Sequence, residues 1–393
     1  MNGARESGLE HDRLLALHFY ATRFFQSQMA GNWVPDYLTG RGFGRNVQNL
    51  WQVGYAPAGR DALTRHLRSA GFPDSLIEAG GLARRSRHGG LADTFRDRAV
   101  LPIRAPDGNV IAFIGRAPEH AGPDVPKYLN SPATLIYRKG DALFGRLRAW
   151  RALEAEAMPV IAEGPFDVMA IAVAGRHRYA PATPCGTALT VHQVDVLNQA
   201  CDLGETGVLV AFDADTAGQR AAIRAYRLLC PVTDRIAAVS FAAGTDPAQI
   251  LRDHGPAELA ATLDRRRRPL ADLVVDAEMG NWTPWLSYAE GQIGALRATA
   301  PVIAAMPSRD VARQVARLAQ QLGLDHAMVT EAVTDALTQL ISGRNQARTS
   351  SLDFPAGARH RAADVTMPVA DPASRRAAPG AYHAGLRSGR IPR

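Results

Sequence analysis

Between residues 157 and 246, four short apolar runs (159–162, 179–182, 208–212 and 236–241) alternate with helix-patterned stretches at 165–175, 190–202 and 216–229. Strand and helix in turn is the pattern of parallel crossover units. Several of the runs are apolar on both faces, as strands covered by helices on either side must be. The alternation therefore predicts a parallel sheet flanked by helices. In such a sheet every strand ends at one edge, and ligands bind in the crevice outside that edge.

The rest of the chain is read around this unit. Residues 1–11 carry no apolar periodicity and are expected to be a flexible N-terminus. Residues 12–150 read as an α+β subdomain, opening with an amphipathic helix from 12 to about 30 that carries Leu14, Leu17, Phe24 and Phe25. Two apolar strands, 98–104 and 110–115, flank Asp107-Gly108, a hairpin signal. Residues 247–342 read as a helical subdomain with no further strand. Residues 343–393 hold nine arginines against three aspartates, six of the net seven positive charges, and read as a disordered basic tail.

Composition excludes several classes. Cys185, Cys201 and Cys230 are too few and too scattered for a disulfide framework or a C-x-x-C zinc site, so no zinc and a reducing, cytoplasmic setting are expected. Charged residues interrupt the first fifteen positions, and no apolar run reaches the length of about 18 that a bilayer requires, so neither a signal peptide nor a membrane partner is expected. Forty-three arginines stand against two lysines, Lys127 and Lys139. A GC-rich genome explains most of this bias. The two lysines that remain flank Tyr128-Leu129-Asn130-Ser131-Pro132, where a compact ammonium serves better than a planar guanidinium.

The informative residues are acids at the predicted sheet edge. Glu163 follows the first strand, Asp213 and Asp215 the third, and Asp246 lies in the loop after the fourth. Taken singly, Asp215 can be an N-cap, Asp246 can open a turn before Pro247, and Glu163 can be a surface residue. Taken together they share one edge, and carboxylates so placed raise one another's pKa unless a cation sits among them. A hard divalent ion, Mg²⁺ or Mn²⁺, answers that need and points to phosphodiester chemistry.

The motifs are specific enough to resemble a family. Glu163-Gly164-Pro165-Phe166-Asp167-Val168, Gly186-Thr187-Ala188-Leu189-Thr190 and Phe212-Asp213-Ala214-Asp215-Thr216-Ala217-Gly218 are similar to the Toprim domain of bacterial DnaG-type DNA primases. Upstream, Gly54-Tyr55-Ala56-Pro57, Phe95-Arg96-Asp97-Arg98, Ala112-Phe113-Ile114-Gly115-Arg116, Lys127-Tyr128-Leu129-Asn130-Ser131-Pro132 and Arg138-Lys139-Gly140 resemble, in order and spacing, that family's N-terminal catalytic subdomain. Residues 12–342 are covered.

The resemblance implies a primase core that joins ribonucleoside triphosphates into short RNA primers on a single-stranded DNA template. It implies Glu163, Asp213 and Asp215 as catalytic and metal-binding, with Asp246 and Asp167 as further acids of the metal site. It implies Arg96, Arg98, Arg116, Lys127, Asn130 and Lys139 as the lining of a groove for nucleic acid or nucleotide. For the arginines, a solvated surface or ion pairs with Asp93 and Asp97 is the competing reading. A further basic run, 265–268, is either close to the groove or a helix end.

Three departures from the family pattern stand out. Ala243 occupies the place where the third acidic motif usually begins with aspartate. No zinc-binding module is expected before the core and no helicase-binding domain after it, which suggests a mobile-element primase working with a helicase or relaxase. The alternatives are a catalytically weak or inactive single-strand DNA-binding accessory protein, and a Toprim nuclease.

Overall fold

The computed structural model describes residues 2–350, apart from 88, 154–155, 176, 187, 214 and 243. Ala243 and residues 351–393, most of the expected basic tail, thus lie outside the described residues. Residues 1–343 form one compact unit.

The N-terminal part begins with α1 (Asn2–Ser27), α2 (Val34–Gly40), α3 (Arg45–Leu50), β1 (Gly54–Ala56), α4 (Ala62–Ser69) and α5 (Asp74–Ala79). A small hairpin follows, β2 (Ala83–Arg85) with β3 (Leu91–Asp93), then β4 (Arg98–Arg104), β5 (Val110–Arg116) and β6 (Tyr128–Asn130). Strands β1, β4, β5 and β6 make an antiparallel sheet in that spatial order. The Asp107-Gly108 hairpin forms as expected, with Asp107 accepting from the Asn109 backbone N–H at 2.9 Å. Helix α1 begins ten residues before the expected start, because the sequence there offers no apolar stripe to mark it.

The second sheet has the order β12-β11-β10-β8-β9-β7. Its strands are β7 (Leu143–Phe144), β8 (Met158–Ala162), β9 (Tyr179–Pro184), β10 (Val208–Ala211), β11 (Ile236–Val239) and β12 (Arg267–Pro269). The inner four are parallel, and the two edge strands run against them. The crossover helices are α7 (Pro165–Gly175), α8 (Val191–Cys201) and α10 (Thr216–Leu229), with α6 (Arg146–Leu153) and α9 (Leu203–Thr206) completing the layer.

Both edge strands correct the expected boundaries of 157–246. β7 comes from the expected N-terminal subdomain, and β12 from the segment expected to be wholly helical. Each is two or three residues long, too short for any periodicity. Beyond β11 lie α11 (Pro247–Arg265), kinked at Gly255, then α12 (Leu270–Gly280), α13 (Ala289–Ala304), α14 (Ser308–Leu322) and α15 (His326–Ser350), which runs past the expected limit at 342.

Three apolar cores hold the unit. One lies under α1 and the first sheet, and one joins the second sheet to the C-terminal helices. The third spans both sheets, packing Val34, Leu38, Ile103 and Ile114 with Val160, Ala162, Phe166 and Leu209. Burial of apolar area at about 25 cal/mol per Å² makes such a shared core a strong tie between the sheets. It fixes the distance across the cleft between them. Among the described residues no helix is long and apolar enough to cross a membrane.

Candidate nucleotide and metal site

A cleft of about 300 Å³ opens between the two sheets at the C-terminal edge of the parallel strands. Glu163, Asp167, Asp213 and Asp246 line it from the second sheet, and Arg116, Lys127 and Asn130 from the first. The topology explains the acidic side. Strands β8, β10 and β11 are adjacent and parallel, so the residues following them share one edge.

The acids at this edge differ in how they are held. Asp213 is at the centre: its backbone N–H donates to Glu163 Oε2 at 3.2 Å, while its own Oδ1 is buried without a partner. Its pKa is pushed up to about 7, first by burial and then by the charges of Glu163, Asp246 and Asp215, with the Lys127 ammonium pulling the other way. Such a carboxylate is short of positive charge.

Asp215 lies beside it at the start of α10, exposed, and its Oδ1 accepts from the Gly218 N–H at 2.7 Å. The N-cap reading is therefore correct, and one oxygen remains available for a second task. Asp246 caps α11 in the same way, accepting from the Gln249 N–H at 2.6 Å. Glu163 is exposed, and its carbonyl accepts from Thr183 Oγ1 at 2.9 Å.

Asp167 departs from the expectation of a metal ligand. It is buried, and its two oxygens accept from the backbone N–H groups of Gly164 at 3.0 Å and Ala248 at 3.3 Å. Burial, then Asp246 and Asp213, raise its pKa well above the carboxylate range. It braces the Glu163–Gly164 turn against α11. Two helix starts and a turn thus converge on Asp213.

Glycine makes this convergence possible. A Cβ on Gly218 would stand 2.1 Å from the Asp213 carbonyl oxygen, so only glycine lets α10 start against that backbone. Gly186, at φ +74°, leaves room for the Asn130 amide, 2.3 Å from where its Cβ would be. The Asn130 Oδ1 is buried without a partner.

The basic side rests on an aromatic floor. Tyr37, Phe43 and Tyr128 surround Phe166 with ring centroids 5.7 to 6.2 Å away. The Arg116 guanidinium lies 5.4 Å from the Tyr128 ring and 5.9 Å from Tyr37, and Lys127 Nζ is 5.8 Å from Tyr128. Cations held over ring faces are oriented by the rings.

The other basic residues of the sequence reading go elsewhere. Arg98 is buried and donates to the carbonyls of Gly115 and Pro126, tying the segment before Lys127 to the sheet. Arg96 is exposed and Lys139 half-buried, and neither lines the cleft. Asp97 and Asp93 do not pair with these arginines: Asp97 accepts from Trp33 and Tyr55, and Asp93 from the backbone and hydroxyl at the start of α4. The 265–268 run is a structural element, with Arg265 on Glu258, Arg267 on Asp264 and Arg268 on Asp276.

Sequence reasoning missed Arg41. It lines the cleft 5.0 Å from the Tyr37 ring and pairs with Glu119 at 2.7 Å. It lies just after α2, outside every motif, and no spacing signal marks it.

The donor set fits a divalent ion. Among the described residues no three ligating side chains stand close enough to cage a metal by themselves. The unpartnered Oδ1 of Asp213, with Glu163 and Asp215 nearby, is instead an open site for a hard divalent ion, which takes one or two carboxylates and completes its shell with water and phosphate oxygens.

The chain is similar to known proteins in both sequence and fold. Residues 19–149 match the family model for the DNA primase catalytic core, N-terminal domain, and residues 160–251 match the Toprim-like model. A DNA primase of Streptomyces coelicolor is 33% identical over 341 residues, covering 84% of this chain and 51% of that protein. The chain spans about half the length of the curated relatives it matches. The RNA polymerase domain of Mycobacterium tuberculosis primase DnaG, solved in complex with double-stranded DNA, superposes with a TM-score of 0.68 at 31% identity, covering 80% of this chain and 99% of that one. A DnaG primase catalytic domain solved bound to single-stranded DNA superposes with a TM-score of 0.65 at 28% identity, covering 82% and 99%.

Proposed function

This chain belongs to the DnaG-type DNA primases, and from that premise we propose that it is a nucleotidyltransferase that makes short RNA primers on single-stranded DNA, with its chemistry at Asp213. The observation that carries the reading is the pairing, across one cleft, of the carboxylates around Asp213 with the cations Lys127 and Arg116. Acid alone would repel a triphosphate, and base alone would bind it without reacting.

Glu163, Asp213 and Asp215 would hold Mg²⁺ or Mn²⁺, which when bound neutralises the triphosphate and supports both the attacking and the leaving oxygen. Lys127 and Arg116 bind and orient phosphate groups opposite the carboxylates, Lys127 as a point charge and Arg116 as a planar fork. The Asn130 amide offers a hydrogen bond at the same wall. In the reaction the primer 3′-oxygen forms a bond to the α-phosphorus and the bond to the β-phosphate oxygen breaks, releasing pyrophosphate. Glu163, exposed at the edge, would take the hydroxyl proton in the arrangement in which Asp213 and Asp215 hold the ion. The shared apolar core keeps the two walls at a fixed separation, and that preorganisation is what positioning catalysis requires. The three unpaired cysteines suit work in the reducing cytoplasm.

The test is incorporation of labelled ribonucleotides on a single-stranded DNA template with Mg²⁺ or Mn²⁺. Oligoribonucleotide products are expected. No product with either metal, while DNA still binds, would overturn the reading in favour of a non-catalytic accessory protein, and strand cleavage would favour a nuclease.

A further inference from the structure

A cluster of exposed aromatic residues lies outside the cleft. After α12 the chain makes a short 3₁₀ turn (Thr283–Trp285) and enters α13. Around this junction Trp282, Trp285, Tyr288, Glu290 and Gly291 line an open depression of about 420 Å³. Trp285 is 59% exposed and Tyr288 60%. Large apolar side chains exposed singly are ordinary, whereas a cluster of them marks a binding surface.

Two glycines of α13 build this display. A Cβ on Gly291 would collide with the Trp285 carbonyl, and one on Gly294 with the Trp282 ring, so the turn closes directly on the helix. Trp282 packs partly on the core, and Trp285 and Tyr288 stand out from it. Among the described residues none of the three rings stacks on another, neither indole N–H nor the Tyr288 hydroxyl has a hydrogen-bond partner, and Glu290 has no ion pair.

The charge around the rings is one-sided. Residues 269–296 hold Asp272, Asp276, Glu278 and Glu290 and no basic residue, in a chain with 45 lysines and arginines. Asp272 and Asp276 are already paired, with Arg313 and with Arg268 and Arg317. Glu290 stands in the first turn of α13, where the helix dipole favours a carboxylate, but the dipole does not account for the rings beside it. Two indoles, a phenol and a free carboxylate, with no cation among them, are the parts of a cation-binding aromatic site.

We propose that this depression takes an arginine side chain from a basic segment of a partner protein, its guanidinium on the ring faces and its N–H groups on Glu290. A nucleic-acid strand fits less well, because its phosphates would meet carboxylates with no cation to receive them. The position suits a partner of the catalytic unit. Pro269 pairs with Ala237 near the start of β11, so α12 sets out from the N-terminal edge of the parallel strands. Its later residues Asp276 and Ala277 line a cavity together with Asp213, and the aromatic site follows at the end of the helix. A partner held here therefore stands on the side of the sheet where the cleft opens.

The test is a titration of the full chain, isotope-labelled at its tryptophan indoles, with a short blocked peptide carrying one arginine among glycines and serines. The control peptide carries citrulline instead, which keeps the shape and loses the charge. The Trp282 and Trp285 signals, assigned by substitution, should shift saturably at millimolar arginine peptide and stay in place with the citrulline peptide. Affinity should fall at least threefold in Glu290→Gln and at least fivefold in Trp285→Ala, the latter read at Trp282. Both side chains are exposed, so both variants should keep the wild-type thermal midpoint. Absence of a saturable shift, an equal response to citrulline, or unchanged affinity in the two folded variants would each overturn the proposal. So would a larger shift with a short oligothymidylate, which would give the rings to nucleic acid, or a shift on concentrating the protein alone, which would give them to a second copy. None of these readouts depends on primer synthesis.

Discussion

At the residue scale, Asp215 carries two loads that substitution can separate. Its Oδ1 caps α10 through the Gly218 N–H, and its charge adds to the field at Asp213. Asparagine caps a helix about as well as aspartate, whereas alanine loses about 1 kcal/mol. Asp215→Asn should therefore keep the thermal midpoint of the wild type yet lose at least tenfold in ribonucleotide incorporation, while Asp215→Ala should lose both. Thermal unfolding and primer yield, measured on the same preparations, give the answer; an active Asp215→Asn would leave the residue as a cap only. Asp167 shows the converse. Both its oxygens are spent on backbone N–H groups, so its contribution reaches the site through the turn that it holds.

At the element scale, α1 is fixed to the first sheet by a buried histidine. His18 bonds the Gly80 carbonyl through Nε2 at 2.9 Å and packs edge-on against Phe113 with ring centroids 5.5 Å apart. Complete burial lowers its pKa from 6.5 to about 4. The unfolded chain therefore binds a proton between these values and the folded one does not, so stability is full above about pH 6.5 and falls as pH drops toward 4. At pH 5 the loss is about 2 kcal/mol by linkage. His18→Gln, whose amide can keep the Gly80 bond without titrating, should lose less stability between pH 7.5 and pH 5 by that amount, read from denaturant midpoints. Equal losses in both proteins would remove His18 as the cause.

The same scale separates what the sequence displays from what it conceals. The inner strands β8, β9, β10 and β11 and the helices between them are legible because each is a run long enough for apolar patterning to show. β7 and β12 are not, since strands of two or three residues have no period and are recruited by the open edges of the sheet. The shared position of Glu163, Asp213 and Asp215 at one edge is legible because they follow strands of one parallel sheet. Arg98 was misread because a motif fixes a residue's position but not the direction of its side chain, and here the chain turns inward to two carbonyls. Arg41 reaches the cleft only through the packing of α2 on Phe166, which no local pattern encodes.

For the whole molecule, the two sheets joined by one apolar core hold an acidic wall and a basic wall across one cleft, and the proposed transfer chemistry occurs between them at Asp213. The most direct measurement is the primer yield of Asp213→Asn relative to wild type on one single-stranded template, with folding checked by thermal midpoint. Asparagine keeps the shape and removes a buried, repelled charge, so the variant should be at least as stable. Its yield should fall by at least 100-fold, about 3 kcal/mol of lost transition-state stabilisation. A stable Asp213→Asn protein that still makes primers within a few-fold of the wild-type yield would contradict the account.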